Sequence, residues 1–386
     1  MMLKGYKRPD GKYGVRNHLL VIPTSVCASE VAKRVADKVE GAVAIPHQHG
    51  CCQMGEDFKQ TVRTLEGFGK NPNVGDSLVI GLGCEGIQAK IVRDEIAKSG
   101  KPVEMLIIQE EGGTTGAVAE GIKLANGIWE KIKDLPTEEF PMSEIIIGLE
   151  CGGSDPTSGL ASNPTIGYAS DYVVNEGGSS ILSETTEVIG AEHIMVKRFP
   201  ESEQEKFLFM VKRIEDKAIA IGEDLRGSQP TPGNIEGGLS TIEEKSLGCM
   251  FKAGYSDFKG TLEYSEAVPY DNKGLYFMDT PGEDIDSITG MLAGGAQIIL
   301  FTTGRGTPTG SAIAPVIKIT GNPDTYKKMT ENIDINAGKI VTGENTLEEV
   351  GKELVDMIYR VGNGELTKAE ILGHEEFGIY RISDTF

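Results

Sequence analysis

The chain has 386 residues, a formal net charge of −20 at pH 7 and six cysteines. This acidity, without any run of Lys or Arg, argues against a nucleic-acid-binding protein. No stretch approaches the roughly 18 apolar residues of a transmembrane helix, and the N-terminus lacks the apolar segment of a signal peptide. Cysteines in an unexported protein bind metal or catalyse more often than they form disulfides, so the composition predicts a cytoplasmic protein with functional thiols.

Apolar runs along the chain predict β-strands, and amphipathic segments between them predict helices. Near-continuous apolar strands are typical of a parallel sheet that is buried on both faces. The alternation therefore predicts an α/β fold with parallel sheets and right-handed crossovers. In chain order, the predicted elements are strand 18–23, helix 29–39, strand 77–82, helix 88–99, strand 105–109, helix 117–132, strand 144–149 and strand 297–301.

Two polar segments that contain proline predict the domain organisation. Residues 134–143 separate an N-terminal α/β domain, 1–138, from a C-terminal α/β domain, 139–386, and we expect the two to pack together. Residues 226–234 are rich in Pro and Gly, and they predict an internal break in the C-terminal domain.

Cys27, Cys84 and Cys151 each lie at the end of a predicted strand or just past it. Ligands of open α/β sheets bind beyond the carboxyl ends of the strands, so these thiols converge on one crevice if their strands are neighbours. Thiolates are soft ligands that suit iron, zinc or an iron–sulfur cluster. The alternative is that each cysteine is a small buried residue that closes a strand. Cys249, in a helical context, is interpreted as a core residue.

The segment PHQHGCCQ (46–53) is the densest group of potential ligands in the chain. Two histidines that are two residues apart project from one face of an extended segment, and imidazole can bind iron or act as a general base. The alternative is a polar turn with one hydrogen-bonded histidine. The predicted metal ligands are Cys27, Cys84, Cys151, His47, His49 and Cys51.

Polar and glycine-rich segments supply the remaining candidate residues. An arginine in the segment 301–310 can pair bidentately with a carboxylate, and carboxylates beside a metal can bind it or move a proton. Helix caps and ordinary salt bridges are the alternatives, and Glu184 and Glu187 stay ambiguous. The candidate catalytic residues are His47, His49, Glu85, Lys245, Arg305 and Lys318. The candidate substrate-binding residues are Ser154, Asp155, Ser158, Asn163, Thr302, Thr303 and Arg305.

Together these segments resemble the altronate and galactarate dehydratase family. The matching motifs run from GYKRPDGKYGVRN through HQHGCCQ, GLGCEG, GLECGGSDPTSGLASNP and GNIEGGLSTIEEKSLG to FTTGRGTPTG. The resemblance implies an iron-dependent lyase that removes water from a sugar acid, such as altronate or galactarate, to give a 2-keto-3-deoxy acid. It implies Fe²⁺ as the cofactor, with a [4Fe–4S] cluster as the alternative. A related branch, the sulfolactate sulfo-lyases, releases sulfite from sulfolactate and leaves pyruvate.

Single-chain members of this family carry a small antifreeze-like domain at their N-terminus. This sequence begins at the GYKRPDGKYGVRN motif, so the resemblance implies a large subunit with a separately encoded small partner, in an oligomer. Two other classes remain open, a non-catalytic iron–sulfur or zinc protein and a sugar-acid-binding module. Clustered ligands at strand ends favour the lyase, because removing a proton next to a carboxylate requires a cation that stabilises the resulting ene-diolate.

Overall fold

The computed structural model describes residues 1–384, so Thr385 and Phe386, the end of the predicted C-terminal domain, lie outside the described residues. The chain is an α/β protein with parallel sheets, as the sequence predicts. The strands are β1 (Leu3–Lys7), β2 (Tyr13–Gly14), β3 (His18–Pro23), β4 (Ala42–Ala44), β5 (Val74–Gly81), β6 (Val103–Ile107), β7 (Glu138–Phe140), β8 (Ile146–Gly152), β9 (Ser179–Leu182), β10 (Phe258–Leu262), β11 (Leu275–Met278), β12 (Ile298–Thr303), β13 (Val316–Thr320) and β14 (Ile335–Asn336).

Helices connect most of these strands, and short 3₁₀ turns and one π-helical turn, Ser158–Ser162, lie between them. The α-helices are α1 (Val26–Ala36), α2 (Gly55–Lys70), α3 (Ala89–Ala97), α4 (Thr114–Ile132), α5 (Asn163–Asn175), α6 (Glu192–Met195), α7 (Glu201–Ala220), α8 (Leu225–Ser228), α9 (Pro232–Glu236), α10 (Ile242–Met250), α11 (Asp284–Ala293), α12 (Pro323–Lys328), α13 (Gly338–Val341), α14 (Leu347–Gly362) and α15 (Lys368–Leu372).

The first βα unit shows how local sequence sets these bounds. Strand β3 covers the predicted residues, but α1 begins at Val26 and not at Ser29. Ser25 takes the extended backbone conformation of an N-cap residue. Ser29 instead lies inside the helix, where its hydroxyl donates a hydrogen bond to the His47 carbonyl at 3.0 Å. The helix therefore starts one turn early, which brings Cys27 into its first turn.

A four-stranded parallel sheet, in the order β4-β3-β5-β6, forms the N-terminal part of the molecule. The chain passes from β3 to β4 on one side and then to β5 on the other side. Strand order therefore reverses between β3 and β5, and such a switch point leaves a crevice outside the carboxyl ends of the two strands.

A seven-stranded parallel sheet, in the order β10-β11-β9-β8-β12-β13-β14, forms the larger part of the molecule. Its order reverses between β8 and β12, so a second crevice lies beyond these two strands. The sequence predicts β8 and β12 but not β9, β10, β11 or β14. Those four strands have two to five residues each, too short for a clear apolar pattern.

A small antiparallel sheet, β2-β1-β7, is absent from the sequence predictions. Strand β7 spans the predicted boundary near residue 138 and pairs with β1, with Leu3 opposite Phe140. At the second predicted break, the short helices α8 and α9 take up most of residues 226–234. The division into domains 1–138 and 139–386 stays a prediction.

One hydrophobic cluster joins the two parallel sheets. It includes Leu20 and Val79 from the four-stranded sheet together with Ile299 and Phe301 from the seven-stranded sheet. Burial of apolar surface is favourable by about 25 cal/mol per Å², so this shared cluster stabilises the packing of the two sheets against each other. Within residues 1–384, no helix is long and apolar enough to cross a membrane.

Candidate active site

The predicted convergence of Cys27, Cys84 and Cys151 on one crevice is wrong. Cys27 and Cys84 are exposed residues that follow β3 and β5, whereas Cys151 is buried within β8 of the other sheet. Within residues 1–384, only two groups of three or more potential ligands have ligand atoms within 4.8 Å of one another, and neither contains Cys27 or Cys84. The physical reason is that the three strands belong to two sheets, each with its own switch point.

The exposed thiols gather at the carboxyl end of the four-stranded sheet. The loop that contains Cys51 and Cys52 packs onto both neighbouring turns, because the Val26 amide donates to the His49 carbonyl and the Gly86 amide donates to the Gly50 carbonyl. The Cys51 and Cys52 sulfurs are 3.9 Å apart. Cys27, Cys51, Cys52 and Cys84 therefore share one edge, although the structure gives no close ligand set among them.

The two histidines of this loop hold the backbone together. His47 Nε2 lies 2.8 Å from the Pro23 carbonyl and His49 Nε2 lies 2.9 Å from the Ile379 carbonyl, while His47 Nδ1 accepts a bond from the His49 amide. Burial lowers the pKa of His47 to about 4, which keeps this imidazole neutral. Both ring nitrogens of His47 are thus occupied, and the alternative of a hydrogen-bonded turn describes this segment better than a metal ligand or a base.

Glu85 also has a structural position. Its carboxylate accepts hydrogen bonds from the Thr24 hydroxyl at 2.9 Å and from the amides of Leu82 and Gly83. A carboxylate with three donors ties the turns after β3 and β5 to each other. These contacts argue against its predicted catalytic role.

A compact group of buried polar side chains lies instead at the switch point of the seven-stranded sheet. Cys151 Sγ is 3.7 Å from Cys249 Sγ, and the Cys249 thiol donates to Glu187 Oε2 at 2.8 Å. The other oxygen of Glu187 pairs with Lys245 Nζ at 2.7 Å. Cys249 is buried, as predicted for a core residue, and it is also the partner of Cys151.

Two lysines set the charge of this group. Burial opposes ionisation of Glu187, but Lys245 and Lys252 lower its pKa below the usual value. Burial likewise opposes the charged form of Lys245, but Glu187 and Cys249 raise its pKa. Lys245 therefore stays a firmly protonated ammonium, which makes it a cation for an anionic ligand and not the general base that the sequence suggests.

Glu184 lies over the end of β8, next to this group. Its backbone is left-handed, with φ of +67°, which is rare for a residue with a side chain. Glu184 Oε2 accepts from the Cys151 amide at 3.0 Å and from Lys252 Nζ at 2.6 Å. Lys252 is completely buried, so the ion pair is shielded from water.

Sequence reasoning missed Lys252 and left Glu184 and Glu187 ambiguous. One signal was available, since Lys245, Cys249 and Lys252 follow one another at spacings of four and three residues. Such residues lie on the same face of a helix. In the structure, α10 and the following 3₁₀ turn, Phe251–Ala253, present this polar stripe to the end of β8.

A cleft of about 250 Å³ opens onto the buried group. Four of the predicted substrate-binding residues line it, as do Lys245 and Cys249. It is slightly below the usual size of a small-molecule site. The four predicted residues are Ser154, Asp155, Ser158 and Asn163.

Three of these four side chains have hydrogen-bond partners within the protein, and the Ser158 hydroxyl accepts from the Asp155 amide at 3.2 Å. Asp155 caps the following helical turn, where Oδ1 accepts from the Thr157 amide at 2.9 Å, and so the alternative of a helix cap applies. The Asn163 side chain donates to the Gly248 carbonyl at 3.0 Å and accepts from the Thr302 hydroxyl at 2.7 Å. Asn163 and Thr302 thus connect β12 to α10 and position the cysteine that follows Gly248.

The remaining candidates lie in or beneath the loop after β12. Thr303 accepts a bond from the Gly306 amide. Arg305 is half-exposed and donates to the Gly233 carbonyl at 2.9 Å. Lys318 lies inside β13, where its ammonium donates to the carbonyls of residues 308 and 309. Burial lowers the pKa of Lys318 to about 8, and its two hydrogen bonds support the loop.

The ligand atoms of Cys151, Cys249 and Glu187 fit a metal ion. Two thiolates on one tetrahedral ion, each at about 2.3 Å, lie about 3.8 Å apart, and the observed distance is 3.7 Å. The donor set of two sulfurs and one carboxylate is borderline-soft, as suits ferrous iron or zinc. All three side chains are buried, so an ion held there is protected from water.

Fold and site together define an α/β enzyme with buried thiols and carboxylates at a sheet switch point. Residues 142–385 match the C-terminal domain of D-galactarate/altronate dehydratases, and residues 5–133 match the second domain of D-galactarate dehydratase/altronate hydrolase. The chain belongs to this family, and it is a lyase. The family resemblance seen in the motifs is confirmed.

Individual relatives are similar over almost the whole chain. A (2R)-sulfolactate sulfo-lyase subunit beta from Chromohalobacter salexigens is 38% identical, over 99% of this chain and 97% of that protein. Altronate dehydratases from Bacillus subtilis and Escherichia coli are 36% and 34% identical, over 99% and 98% of this chain and 78% of each of those proteins.

Proposed function

We propose that this chain catalyses a metal-dependent β-elimination that removes water from a sugar acid, such as altronate or galactarate, and gives a 2-keto-3-deoxy acid. One observation carries the proposal: a cleft of about 250 Å³ is lined by Cys249 and Lys245, which belong to a buried thiol–carboxylate group. The ligands are Cys151, Cys249 and Glu187, and the proposed ion is Fe²⁺. When bound, this ion supplies a Lewis acid for the leaving group or the substrate carboxylate.

The side chains around the cleft divide the remaining work. The Lys245 ammonium binds the substrate carboxylate, which matters in a chain whose overall charge repels anions. Ser154 and Ser158 line the cleft, and hydroxyls suit the hydroxyl groups of a sugar acid. Asn163 acts as a positioning residue, because it holds the helix of Cys249 against β12.

Sulfite release from (2R)-sulfolactate is the second candidate reaction. It is supported by the match to the sulfo-lyase subunit beta, which extends over 97% of that relative, against 78% for each altronate dehydratase. Because that relative is named a subunit, we propose that this chain also acts with a separate small subunit.

A [4Fe–4S] cluster is the alternative cofactor, and a different part of the molecule supports it. Cys27, Cys51, Cys52 and Cys84 share one exposed edge of the four-stranded sheet. Four thiolates are the usual ligand set of such a cluster. Acid-labile sulfide, measured with iron in anaerobically purified protein, distinguishes the two: iron without sulfide supports the mononuclear site.

The test of function is anaerobic reconstitution with ferrous iron and the proposed small subunit. Altronate, galactarate and sulfolactate are supplied separately, and the 2-keto product and sulfite are measured. We expect Cys249→Ser to lose iron and at least 100-fold in turnover. Cys52→Ser is the matched control, because it changes an exposed thiol outside the cleft, and it should retain both. Full iron content and turnover in Cys249→Ser would contradict the proposed site.

A further inference from the structure

A second group of potential ligands lies on the opposite face of β8 from the cysteines. Its members are Glu150 within β8, Glu184 after β9, and Asp284, the first residue of α11. One carboxylate oxygen of each lies within 4.8 Å of the others. Because alternate residues of a strand point to opposite faces, Cys151 faces α10 while Glu150 faces α11.

Two carboxylate oxygens in this group are buried without a hydrogen-bond partner, namely Glu150 Oε1 and Glu184 Oε1. The other oxygen of each is bonded: Glu150 Oε2 accepts from the Ser287 hydroxyl at 2.6 Å, and Glu184 Oε2 accepts from Lys252. Glu150 is fully buried and Glu184 is 1% exposed. A buried carboxylate oxygen without a donor is costly, and a cation between the two would satisfy both.

The charges around the end of β8 are consistent with a bound cation. Four carboxyl groups lie there, those of Glu150, Glu184, Glu187 and Asp284. Among residues 1–384, the ammonium groups that form ion pairs with this group are those of Lys245 and Lys252. Two negative charges stay unbalanced when all these groups are ionised, and one divalent cation balances them.

The backbone leaves space for the third carboxylate. A Cβ built at Gly152 would overlap Asp284 Oδ2, so the glycine allows Asp284 to approach the end of β8. Asp284 is only partly buried. It therefore provides a path by which an ion can enter from solvent, which a metal site needs.

We propose that Glu150, Glu184 and Asp284 bind a hard divalent cation, Mg²⁺ or Mn²⁺, separately from the thiolate site. Carboxylate oxygens suit these ions, whereas the thiolate pair suits iron or zinc. The proposal stands on its own, because it uses none of the three proposed iron ligands. The ion neutralises the carboxylates that hold Lys252 and the Cys151 amide, and so it stabilises the end of β8.

The test is a Mn²⁺ titration of the full chain after chelator treatment, in which the EPR signal measures the free Mn²⁺. We expect one bound Mn²⁺ per chain, and at least a tenfold loss of affinity in Asp284→Asn. Asp286→Asn is the matched control, because it changes a carboxyl two residues along the same helix that is outside the ligand group. The Cys151→Ser/Cys249→Ser double variant should keep its Mn²⁺ affinity.

Three results would overturn the proposal. They are no saturable Mn²⁺ binding to the wild-type chain, unchanged affinity in Asp284→Asn, and loss of binding in the double cysteine variant alone. Far-UV circular dichroism checks that Asp284→Asn is folded. Gly152→Ala gives an independent second variant, since its methyl group displaces Asp284 without changing a ligand, and it should weaken Mn²⁺ binding as well.

Discussion

Replacing Lys252 by methionine tests the buried ion pair that supports the candidate site. The methionine side chain fills most of the space of the lysine, so the main loss is the ammonium that lies 2.6 Å from Glu184 Oε2. Removing one partner of a buried ion pair costs roughly 3–5 kcal/mol, because the other charge stays buried without compensation. We expect the upper part of this range at pH 8, since Glu184 Oε1 already lacks a donor.

Urea unfolding of the chelated protein measures this loss, and a second substitution isolates its cause. Glu184→Gln in the Lys252→Met background removes the uncompensated charge, so the double variant should recover to within about 1 kcal/mol of the wild type. The cost of Lys252→Met should also shrink as pH falls toward 4.5, because protonation neutralises Glu184. Two results would refute the reasoning. One is a loss of less than about 1 kcal/mol of unfolding free energy in Lys252→Met. The other is a loss in the double variant that equals the sum of the losses in the two single variants.

Three further predictions concern the fold. The pKa of buried His47 is about 4, against 6.5 when the chain is unfolded. Because only the unfolded chain takes up this proton as pH falls from 6.5 to 4, the free energy of unfolding of the wild type should fall by about 3 kcal/mol more than that of His47→Gln. Urea midpoints measured across this pH range test the difference. Gly167→Ala should destabilise the chain by about 1–3 kcal/mol in thermal unfolding, because its methyl group meets the Phe251 carbonyl; an unchanged Tm would be inconsistent with this contact. Arg16→Lys should lower the free energy of unfolding by about 1–3 kcal/mol, because lysine cannot reproduce the two-point contact with Glu370. Arg16→Met should lower it by at least as much.

The α/β class and the parallel strands were predictable because buried parallel strands leave near-continuous apolar runs in the sequence. The run 18–23 coincides with β3, and four other runs overlap β5, β6, β8 and β12. Strands such as β9, Ser179–Leu182, were not predictable, because they are short and contain polar residues. The antiparallel sheet depends on pairing between β1 and β7, which are far apart in sequence.

The candidate site was predictable only in part. A cysteine at the end of a strand is a local signal, and it identified Cys151. It could not assign Cys27 and Cys84 to a different sheet, because sheet membership depends on strand order and not on local pattern. Cys249 is buried, as predicted for a core residue, but its contact with Cys151 could not be predicted because the two residues are far apart in the sequence.

Side chains along β8 point alternately to its two faces, and this alternation links the chemistry of the two faces. Because Glu150 and Cys151 are consecutive, a single inserted or deleted residue upstream in this strand would exchange the two faces. A thiol would then meet the carboxylates and a carboxylate would meet the thiol, so both proposed ion sites would lose their selectivity at once. The length of β8 is therefore under tighter constraint than that of any strand whose neighbouring side chains serve only packing.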